Sequence, residues 1–409
     1  MSESAATEPD FKEDPATDPY PEYARLRQTC PVPRVVKQSG HAPFLVTTYQ
    51  DAKAALLDPR LSKDPRYGEA ELVAAGLAHV YLADRAGLGQ NMLSADPPDH
   101  TRLRRLIAGQ FTTPRTAALA PRIQEITDRL IDAFAPIGRA DFVAEFACRL
   151  PALVIAELLG VPAADQDRFR SLAEDSLRPS HDPRQRAGLI GLAQYVQEAV
   201  AAKREQPGDD LISGLIADQG DGRQSENELL GGLQLLVIAG HETTVNLLGN
   251  GLLALLRHPD QLALLLDRPE LIPAAVEEML RYDGPVERAT TRFATEDVLI
   301  GDTLVPGGSS VFVALASADR DGEQFPDPDR FDVARATRGH LAFGHGLHFC
   351  LGAPLARLEA RIAFETLLRR LPGLELAADP DGLEHLQSVI MRGLTTLPIR
   401  FQPSGAISR

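Results

Sequence analysis

Cys350 lies in a glycine-rich segment, F-G-H-G-L-H-F-C-L-G, that spans residues 343–352. Glycine lets the backbone approach a flat ligand closely and adopt positive φ. A predicted helix begins near Ala353, and a helix N-terminus lowers the pKa of a nearby thiol, which favours the thiolate that binds metals. The segment therefore predicts a cysteine ligand for a metal. A small buried cysteine in a turn is the alternative that this segment alone leaves open.

The segment A-G-H-E-T-T at residues 239–244 places four polar residues in succession within a long apolar helical pattern. Burying the charged Glu242 and the hydroxyl of Thr243 is costly unless they serve a function. The Thr243 hydroxyl is placed to bond the carbonyl of Ala239, four residues earlier, and Gly240 lacks a side chain, so we expect a local groove in the helix. The alternative is a solvent-facing polar stripe. We interpret His241 as structural or as a residue at the edge of a pocket.

The elements that must position these residues are mainly helical. Apolar residues recur at helical spacing, and S-x-x-E at Ser225 to Glu228 predicts a capping box before the longest helix. The predicted helices are residues 121–134, 150–159, 192–202, 229–257, 273–282 and 353–371. The best strand signals are residues 44–47, 298–300, 310–314 and 397–401. We expect a mainly α fold with small β-sheets, with residues 1–20 as a flexible N-terminal arm and residues 21–409 as a single domain.

Composition and charge exclude several classes of protein. The formal net charge of −15 leaves no general footprint for nucleic acid. Three widely spaced cysteines, Cys30, Cys148 and Cys350, argue against a disulfide framework or a zinc cluster and favour the reducing cytoplasm. We find no secretory signal pattern and no uncharged apolar run long enough to span a membrane. These features predict a cytoplasmic protein that binds neither nucleic acid nor membrane, and we expect it to be a monomer.

The cysteine segment matches the pattern F-x-x-G-x-x-x-C-x-G at each fixed position and so resembles the signature of the cytochrome P450 family. With three further motifs in the family's order, the resemblance extends from about residue 20 to residue 401 and is to soluble bacterial members of the actinobacterial type. The resemblance implies haem b (iron protoporphyrin IX) as cofactor and Cys350 as its iron ligand. It also implies that Phe343, Gly344 and Gly352 contact the haem, within the family's single-domain fold.

Catalytic and scaffold roles follow from the same resemblance. In the family, the residues that match Glu242 and Thr243 deliver protons during dioxygen activation. The motif E-x-x-R at Glu278 and Arg281 resembles the family's scaffold pair, whose third member is expected to be Arg330. Residues three apart on a helix share a face and are able to pair. We therefore expect Glu278, Arg281 and Arg330 to form a buried ion network beneath the cysteine segment.

The two propionates of haem require cationic or hydrogen-bonding partners. His100 and Arg104 lie four residues apart on one predicted helix face. By resemblance, these two residues, with Arg292 and His348, are expected to bind the propionates. Histidine replaces the tryptophan that is frequent in the family at the position of His100, and this chain has no tryptophan.

The segments that line the substrate pocket in the family map to mostly apolar residues here. The resemblance implies pocket positions at Leu88, Met92, Leu236, Ala239, Val286, Ala289 and Ile390. Their composition predicts a sizeable, mostly apolar small molecule, and the bacterial relatives suggest a natural product of secondary metabolism.

The leading functional hypothesis is a monooxygenase that hydroxylates or epoxidises this substrate. A haem-thiolate oxidase that couples or desaturates its substrate is the alternative, and a non-catalytic haem sensor is a more remote one. The chain has no room for a flavin domain and lacks the cysteines of an iron–sulfur centre. We therefore expect electrons from a separate ferredoxin, served by an NAD(P)H-dependent ferredoxin reductase. The expected docking surface is a basic patch that includes Arg102, Arg105, Arg357 and Arg361.

Overall fold

The structure, a computed structural model, describes residues 7–9, 18–37, 40–81, 91–109, 111–176, 178, 182–219 and 224–404. Leu88, one of the predicted pocket residues, lies outside the described residues, as does most of the predicted N-terminal arm. The expected fold class, mainly α with small β-sheets, is confirmed by the secondary structure of the described residues.

Helices make up most of the described chain. They are α1 (Tyr20–Thr29), α2 (Tyr49–Leu57), α3 (Glu69–Ala74), α4 (Ala78–Tyr81), α5 (Asp99–Ala108), α6 (Thr113–Ala118), α7 (Ala120–Phe134), α8 (Arg149–Leu159), α9 (Gln166–Ser176), α10 (Pro183–Glu205), α11 (Leu211–Gln219), α12 (Glu226–Arg257), α13 (Pro259–Asp267), α14 (Ile272–Asp283), α15 (Leu315–Ala318) and α16 (Ala353–Arg370). Among these described helices, none combines the length and apolar character needed to cross a lipid bilayer.

The strands are short and lie in three small sheets. They are β1 (Thr7–Pro9), β2 (Arg34–Val36), β3 (Phe44–Val46), β4 (Leu61–Ser62), β5 (Arg139–Asp141), β6 (Arg292–Ala294), β7 (Val298–Ile300), β8 (Thr303–Val305), β9 (Ser310–Val313), β10 (Glu375–Leu376) and β11 (Pro398–Arg400). The largest sheet has the order β1-β2-β3-β9-β6-β4, in which β9 runs parallel to β3 and antiparallel to β6. This sheet fixes the position of Arg292 at the start of β6.

The central helix α12 begins where the sequence predicts. Ser225 accepts a hydrogen bond from the backbone N–H of Glu228, and the Glu228 carboxylate accepts one from the N–H of Ser225, which completes the capping box. The helix then passes through two hydrophobic clusters: Leu233 packs in the cluster formed with α8, α9 and α10, and Leu248 packs in the one formed with α7, α14 and α16. Because α12 is buried on most sides, the polar side chains within residues 239–244 are unusual there and indicate a functional site.

Helix α10 begins much earlier than the predicted range of 192–202. It starts at Pro183, and the Asp182 side chain accepts a hydrogen bond from the N–H of Arg184. An Asp before a Pro at the first helical position is a helix-start signal that was present in the sequence. The apolar period weakens over the first two turns because they contain the exposed residues Arg184 and Arg186. Periodicity alone therefore placed the start too late.

Candidate active site

The cysteine segment forms a tight loop immediately before α16. The N–H of Cys350 donates to the carbonyl of Phe343 at 2.9 Å, and Gly344 adopts a φ of 72°, in the left-handed region that favours glycine. The surrounding protein desolvates the Cys350 thiol and raises its pKa. The N–H groups of Gly352 and Ala353, at the start of α16, hydrogen-bond the sulfur and lower the pKa. Two backbone donors therefore point at the sulfur, as the thiolate of a metal ligand requires.

The thiol of Cys350 faces an open recess. The residue is exposed, yet enough protein surrounds it for desolvation to act on its pKa. A side chain that is both accessible and enclosed lies in a concavity. A Cβ built on Gly344 would have no neighbouring atom closer than 3.8 Å, and one built on Gly352 would lie 3.9 Å from the Cys350 sulfur. The glycines leave the space beside the sulfur clear, and a flat cofactor requires that space.

Four basic groups surround His348, two residues before the cysteine. Burial, together with the nearby basic groups of Lys63, Arg292, His100 and Arg104, depresses the pKa of His348 to about 3. The rings of His100 and His348 lie 4.3 Å apart between centroids. Arg104 donates to the carbonyl of Phe349 at 2.7 Å, which attaches α5 to the cysteine loop. The structure therefore brings together His100, Arg104, Arg292 and His348.

Several donors in this cluster have no partner among the described residues. Both ring nitrogens of His100 are buried and unbonded, and so is Nε of Arg292. Burial lowers the pKa of Arg292 to about 10, and the carboxylate of Asp96 opposes that shift. Buried polar groups without partners are costly, so these donors point to an anionic ligand. The two propionates of haem would accept hydrogen bonds from these donors, and the Cys350 thiolate would bind its iron. The residues present therefore fit haem.

Lys63 belongs to this region, although no pattern in the sequence indicates it. Its ammonium group is buried and donates to the hydroxyl and carbonyl oxygens of Thr290 and to the carbonyl of Thr291. These contacts hold the strand that carries Arg292 against β4. The partners of Lys63 lie 227 and 228 residues away in the chain, so no local spacing predicts them.

A short accessible strip interrupts the burial of α12 at Glu242 and Thr243, which we call the acid–alcohol pair. Ala239 is exposed, whereas Glu242 and Thr243 are partly buried. The hydroxyl of Thr243 donates to the carbonyl of Ala239 at 2.8 Å, as expected from the sequence. Burial raises the pKa of the Glu242 carboxyl, so the group retains a proton to higher pH than a free glutamate. The strip therefore presents a hydroxyl and a carboxyl whose pKa is raised by burial.

Gly240 and His241 have structural roles on the other faces of α12. The helix is a continuous α-helix here, without a bulge. A Cβ on Gly240 would lie 2.7 Å from Cδ1 of Ile155, so this glycine permits α8 to pack closely and does not open space for a ligand. His241 is fully buried, its Nε2 lies 2.8 Å from the carbonyl of Cys148, and desolvation lowers its pKa to about 4.

The expected scaffold network is present with one different member. Nε and one terminal nitrogen of Arg281 donate to the two carboxylate oxygens of Glu278 at 2.7 and 2.8 Å, and both side chains are fully buried. Arg335, not Arg330, is the third side chain, with its Nε 3.2 Å from Glu278. The prediction for Arg330 was wrong because its side chain points outward, is 65% exposed and lies 3.7 Å from Asp332. Only the Arg330 carbonyl contacts Arg281 and Arg335.

This network makes a prediction about stability. Arg281→Met should lower the free energy of unfolding by about 3–5 kcal/mol, because it leaves the buried carboxylate of Glu278 with weaker compensation. Arg335→Met should cost about 1–3 kcal/mol through the loss of its hydrogen bonds to a charged group. Arg330→Met should change stability by no more than about 0.5 kcal/mol. Urea unfolding of the three variants measures these differences, and an equal loss for Arg330 and Arg335 would contradict the assignment.

The described residues of the predicted pocket lie in different environments. Val286 and Ala289 are partly buried, and the carbonyl of Ile390 accepts a hydrogen bond from the N–H of Glu287 at 2.8 Å, which ties these two segments together. Met92 is partly buried at the start of a short 3-10 turn. Leu236 is buried in the cluster shared with α8, α9 and α10.

Most of the arginines expected to form a basic patch have carboxylate partners. Arg102 pairs with Glu228 at 2.5 Å and with Asp99 at 3.0 Å. Arg357 makes two hydrogen bonds to Glu277, and Arg361 lies 3.4 Å from Glu365. Arg105 is exposed and has no ion pair with any other described residue. The four arginines therefore contribute less positive charge than the sequence predicts.

Comparison with known proteins gives one family. A family model described as Cytochrome P450 matches residues 265–390. The cytochrome P450 monooxygenase PikC of Streptomyces venezuelae is 49% identical over 394 residues, which cover 95% of this chain and 92% of PikC. The structure of the tirandamycin C-bound P450 monooxygenase TamI is similar with a TM-score of 0.86 and 41% identity, covering 94% of this chain and 97% of TamI. The P450 enzyme CxnD, for C–S bond formation in chuangxinmycin biosynthesis, has a TM-score of 0.86 and 40% identity over 99% of this chain and 100% of its own.

These likenesses extend over nearly the whole chain, and they agree with the site built around Cys350. The thiol recess, the unpaired donors of His100 and Arg292 and the accessible strip of α12 correspond to what a thiolate-ligated haem requires. The chain therefore belongs to the cytochrome P450 family and is a haem-dependent enzyme of that family.

Proposed function

We propose that the protein is a monooxygenase that inserts one oxygen atom of dioxygen into a C–H or C=C bond of a mostly apolar natural product. The observation that carries this proposal is the accessible strip of α12, where the Thr243 hydroxyl and the Glu242 carboxyl lie beside exposed Ala239 within an otherwise buried helix. A haem protein that only senses a ligand needs no such pair of proton-carrying groups.

Haem held by Cys350 would supply the reductive activation and cleavage of dioxygen, which a thiolate ligand favours. The backbone N–H groups of Gly352 and Ala353 would keep negative charge on the sulfur. His100, Arg104, Arg292 and His348 would bind the propionates and so fix the orientation of the ring. These residues are the haem contacts that we propose, with Phe343 packing beside the sulfur in the same loop.

The proton for oxygen activation would pass through the acid–alcohol pair. The raised pKa of Glu242 keeps a proton on its carboxyl at pH values where a free glutamate would be ionised. The Thr243 hydroxyl, held by the Ala239 carbonyl, has lone pairs that accept a proton and direct it into the recess. Burial of the surrounding helix limits the access of bulk water, which favours controlled delivery.

The substrate class follows from the pocket and the relatives. Val286, Ala289, Ile390 and Ala239 would present mainly hydrocarbon surface, and such surface selects apolar compounds. TamI was solved with tirandamycin C bound, and CxnD acts in chuangxinmycin biosynthesis. These likenesses support a natural product as substrate, which the chain would oxidise in the cytoplasm.

A second reaction, oxidative coupling, is favoured by one comparison. CxnD forms a C–S bond, and it is similar to this chain over the full length of both. Coupling removes two hydrogen atoms from the substrate, whereas oxygenation adds one oxygen atom. The presence of both Glu242 and Thr243 favours oxygenation, because the role proposed for these groups is to deliver protons to dioxygen.

Electrons would arrive from a separate ferredoxin, reduced by an NAD(P)H-dependent reductase. Docking of an acidic partner requires positive charge that is not already paired. Of the four arginines proposed for this surface, Arg105 is exposed without an ion pair in the described part of the chain, whereas Arg102, Arg357 and Arg361 contact carboxylates. We therefore place the main charge contribution at Arg105.

A reconstituted assay tests the reaction class. The holoprotein, a bacterial ferredoxin, its reductase and NADPH would be incubated with a library of natural products, selected for those that shift the haem spin state. We expect a product about 16 Da heavier than its substrate, with loss of activity when ferredoxin is omitted. A product about 2 Da lighter would establish coupling or desaturation, and oxidation of no compound that binds would overturn the monooxygenase proposal.

A further inference from the structure

Arg357 lies one helical turn into α16 and packs against the cysteine loop. Its Cζ atom lies 4.4 Å from the centroid of the Phe343 ring, a cation–π contact. The backbone carbonyl of the same Phe343 accepts the N–H of Cys350 at 2.9 Å. Burial raises the pKa of the Cys350 thiol, and the positive charges of Arg104 and Arg357 oppose that rise. The guanidinium group of Arg357 is therefore within electrostatic reach of the sulfur.

A carboxylate of α14 holds this guanidinium group in place. Nε and one terminal nitrogen of Arg357 donate to the two carboxylate oxygens of Glu277 at 2.6 and 2.8 Å. Nε2 of His340 lies 3.0 Å from the same carboxylate. Burial raises the pKa of Glu277, but the hydrogen bonds from His340 and Arg357 outweigh burial and hold the pKa at about 2. Glu277 is therefore ionised at neutral pH, and its negative charge opposes the positive charge beside the loop.

Charges near a metal ligand affect how readily the metal accepts an electron. One-electron reduction adds negative charge to the site, so a nearby cation stabilises the reduced state and a nearby anion destabilises it. Groups that surround a thiolate ligand tune the reduction potential of haem in this way. The side chain of Arg357 is 37% exposed, so solvent screens part of its charge and the expected effect is modest.

We propose that Arg357 raises the reduction potential of haem held by Cys350, and that Glu277 offsets part of this effect. The inference rests on the proposed ligation of haem by Cys350. It gives Arg357 a role at the iron in place of the docking role that the sequence suggests. Arg357 acts through the thiolate and contacts neither substrate nor haem in this proposal, so it is a positioning residue and not a catalytic one.

Potentiometry of the haem-loaded protein, with dithionite and redox mediators and without ferredoxin, tests the proposal. Arg357→Met keeps an apolar chain against Phe343 but removes the charge. It should shift the reduction equilibrium about threefold toward the oxidised protein, a fall of about 28 mV at 59 mV per tenfold change. Glu277→Gln keeps an oxygen that accepts from Arg357 but removes the negative charge. It should shift the equilibrium about twofold toward the reduced protein, a rise of about 18 mV.

The opposite signs of these shifts distinguish an effect of charge from an effect of structure. A general loosening of the cysteine loop would move the potential of both variants in the same direction. Arg357→Lys retains the charge but not the paired hydrogen bonds, so its reduction equilibrium should stay within about 1.5-fold of the wild-type value. A purely structural role of the Arg357 hydrogen bonds predicts instead that lysine fails to restore the potential.

Arg361→Met is the matched control. Arg361 lies one turn after Arg357 on α16, is similarly exposed at 41% and has its own carboxylate neighbour, Glu365. The extra turn places it about 6 Å further along the helix from the cysteine loop. This variant should change the reduction equilibrium by no more than about 1.2-fold. Each variant should retain the red-shifted band of the carbon monoxide complex, which reports folding and thiolate ligation separately from the potential.

Four outcomes would overturn the inference. They are an unchanged potential in Arg357→Met, shifts of the same sign in Arg357→Met and Glu277→Gln, failure of Arg357→Lys to restore the potential, and a shift in Arg361→Met as large as that in Arg357→Met. If Arg357→Met does not fold, Glu277→Gln decides alone, because an unchanged or lowered potential in that variant also contradicts the proposal.

Reduction by ferredoxin separates this role from docking. Arg357→Met should slow reduction by a similar factor at every ionic strength, because the driving force falls while the docking surface is unchanged. A docking residue acts on the association rate and on its salt dependence. An altered salt dependence with an unchanged potential would place Arg357 on the docking surface and overturn the inference.

The same measurements separate this inference from the function on which it depends. Loss of the red-shifted band in the wild type would refute ligation by Cys350. The expected shifts in potential without oxidation of any bound compound would refute the monooxygenase proposal and leave the role of Arg357 intact. Substrate oxidation with a potential that does not respond to Arg357→Met would refute the role of Arg357 alone.

Discussion

Replacing Cys350 with alanine is expected to abolish the red-shifted absorption band that the reduced, carbon monoxide-bound protein shows when a thiolate ligates haem. Alanine provides no sulfur, and the recess beside the start of α16 offers no second thiol, since Cys30 and Cys148 lie in other parts of the fold. Without the ligand, the electronic contribution that favours O–O cleavage is also lost. We therefore expect monooxygenase activity to fall to background together with the band.

The other two cysteines provide the controls. Cys148 lies before α8, where burial raises the pKa of its thiol to about 12, so it has little tendency to form a thiolate. Cys30 lies at the end of α1. Cys148→Ala and Cys30→Ala should both preserve the band. Survival of the band in Cys350→Ala, or its loss in either control, would show that the ligand has been assigned incorrectly.

Replacing Thr243 with alanine should separate the consumption of reductant from the formation of product. The variant lacks the hydroxyl that donates to the Ala239 carbonyl. General acid assistance is typically worth about 10²–10⁴ in rate. We expect product formed per NADPH consumed to fall on the order of 10²-fold, with hydrogen peroxide as the main product of dioxygen reduction. Parallel assays of NADPH, peroxide and product measure this ratio.

Thr244 is the matched control for Thr243, because it has the same side chain one residue later. Its side chain is buried, and its hydroxyl lies 3.4 Å from the carbonyl of Gly240, away from the accessible strip. Thr244→Ala should leave the ratio of product to NADPH close to the wild-type value. If Thr243→Ala also keeps the wild-type ratio, the proton passes through another group, and the role that we assign to the pair is wrong.

Local features of the site could be predicted from the sequence. Two of these features join residues within four positions of one another: the capping box of Ser225 and Glu228, and the hydrogen bond from Thr243 to Ala239. A third is the start of α16 at Ala353. Helix geometry fixes such distances once the helix is recognised, so the sequence is sufficient. The glycine-rich cysteine segment was also recognisable because all its fixed positions are contiguous.

The tertiary structure alone decided which distant side chains meet. Arg335 replaced Arg330 in the network of Glu278 because the direction of each side chain depends on how the loop after residue 326 folds beneath α14. The same applies to the pairing of Arg102 with Glu228 across 126 residues, which neutralises a charge that the sequence presents as free.

The environment of Gln234 is a further case of what the sequence left undetermined. In the sequence, Gln234 is one polar residue within an apolar helix, and its spacing predicts nothing about a partner. In the structure its Oε1 is buried without a hydrogen-bond partner among the described residues, and its packing decides this. Chemistry carried by contiguous residues was thus determined by the sequence, whereas the contacts between distant side chains depended on how the helices and loops pack. Packing is decided by contacts between residues that no local pattern relates to one another.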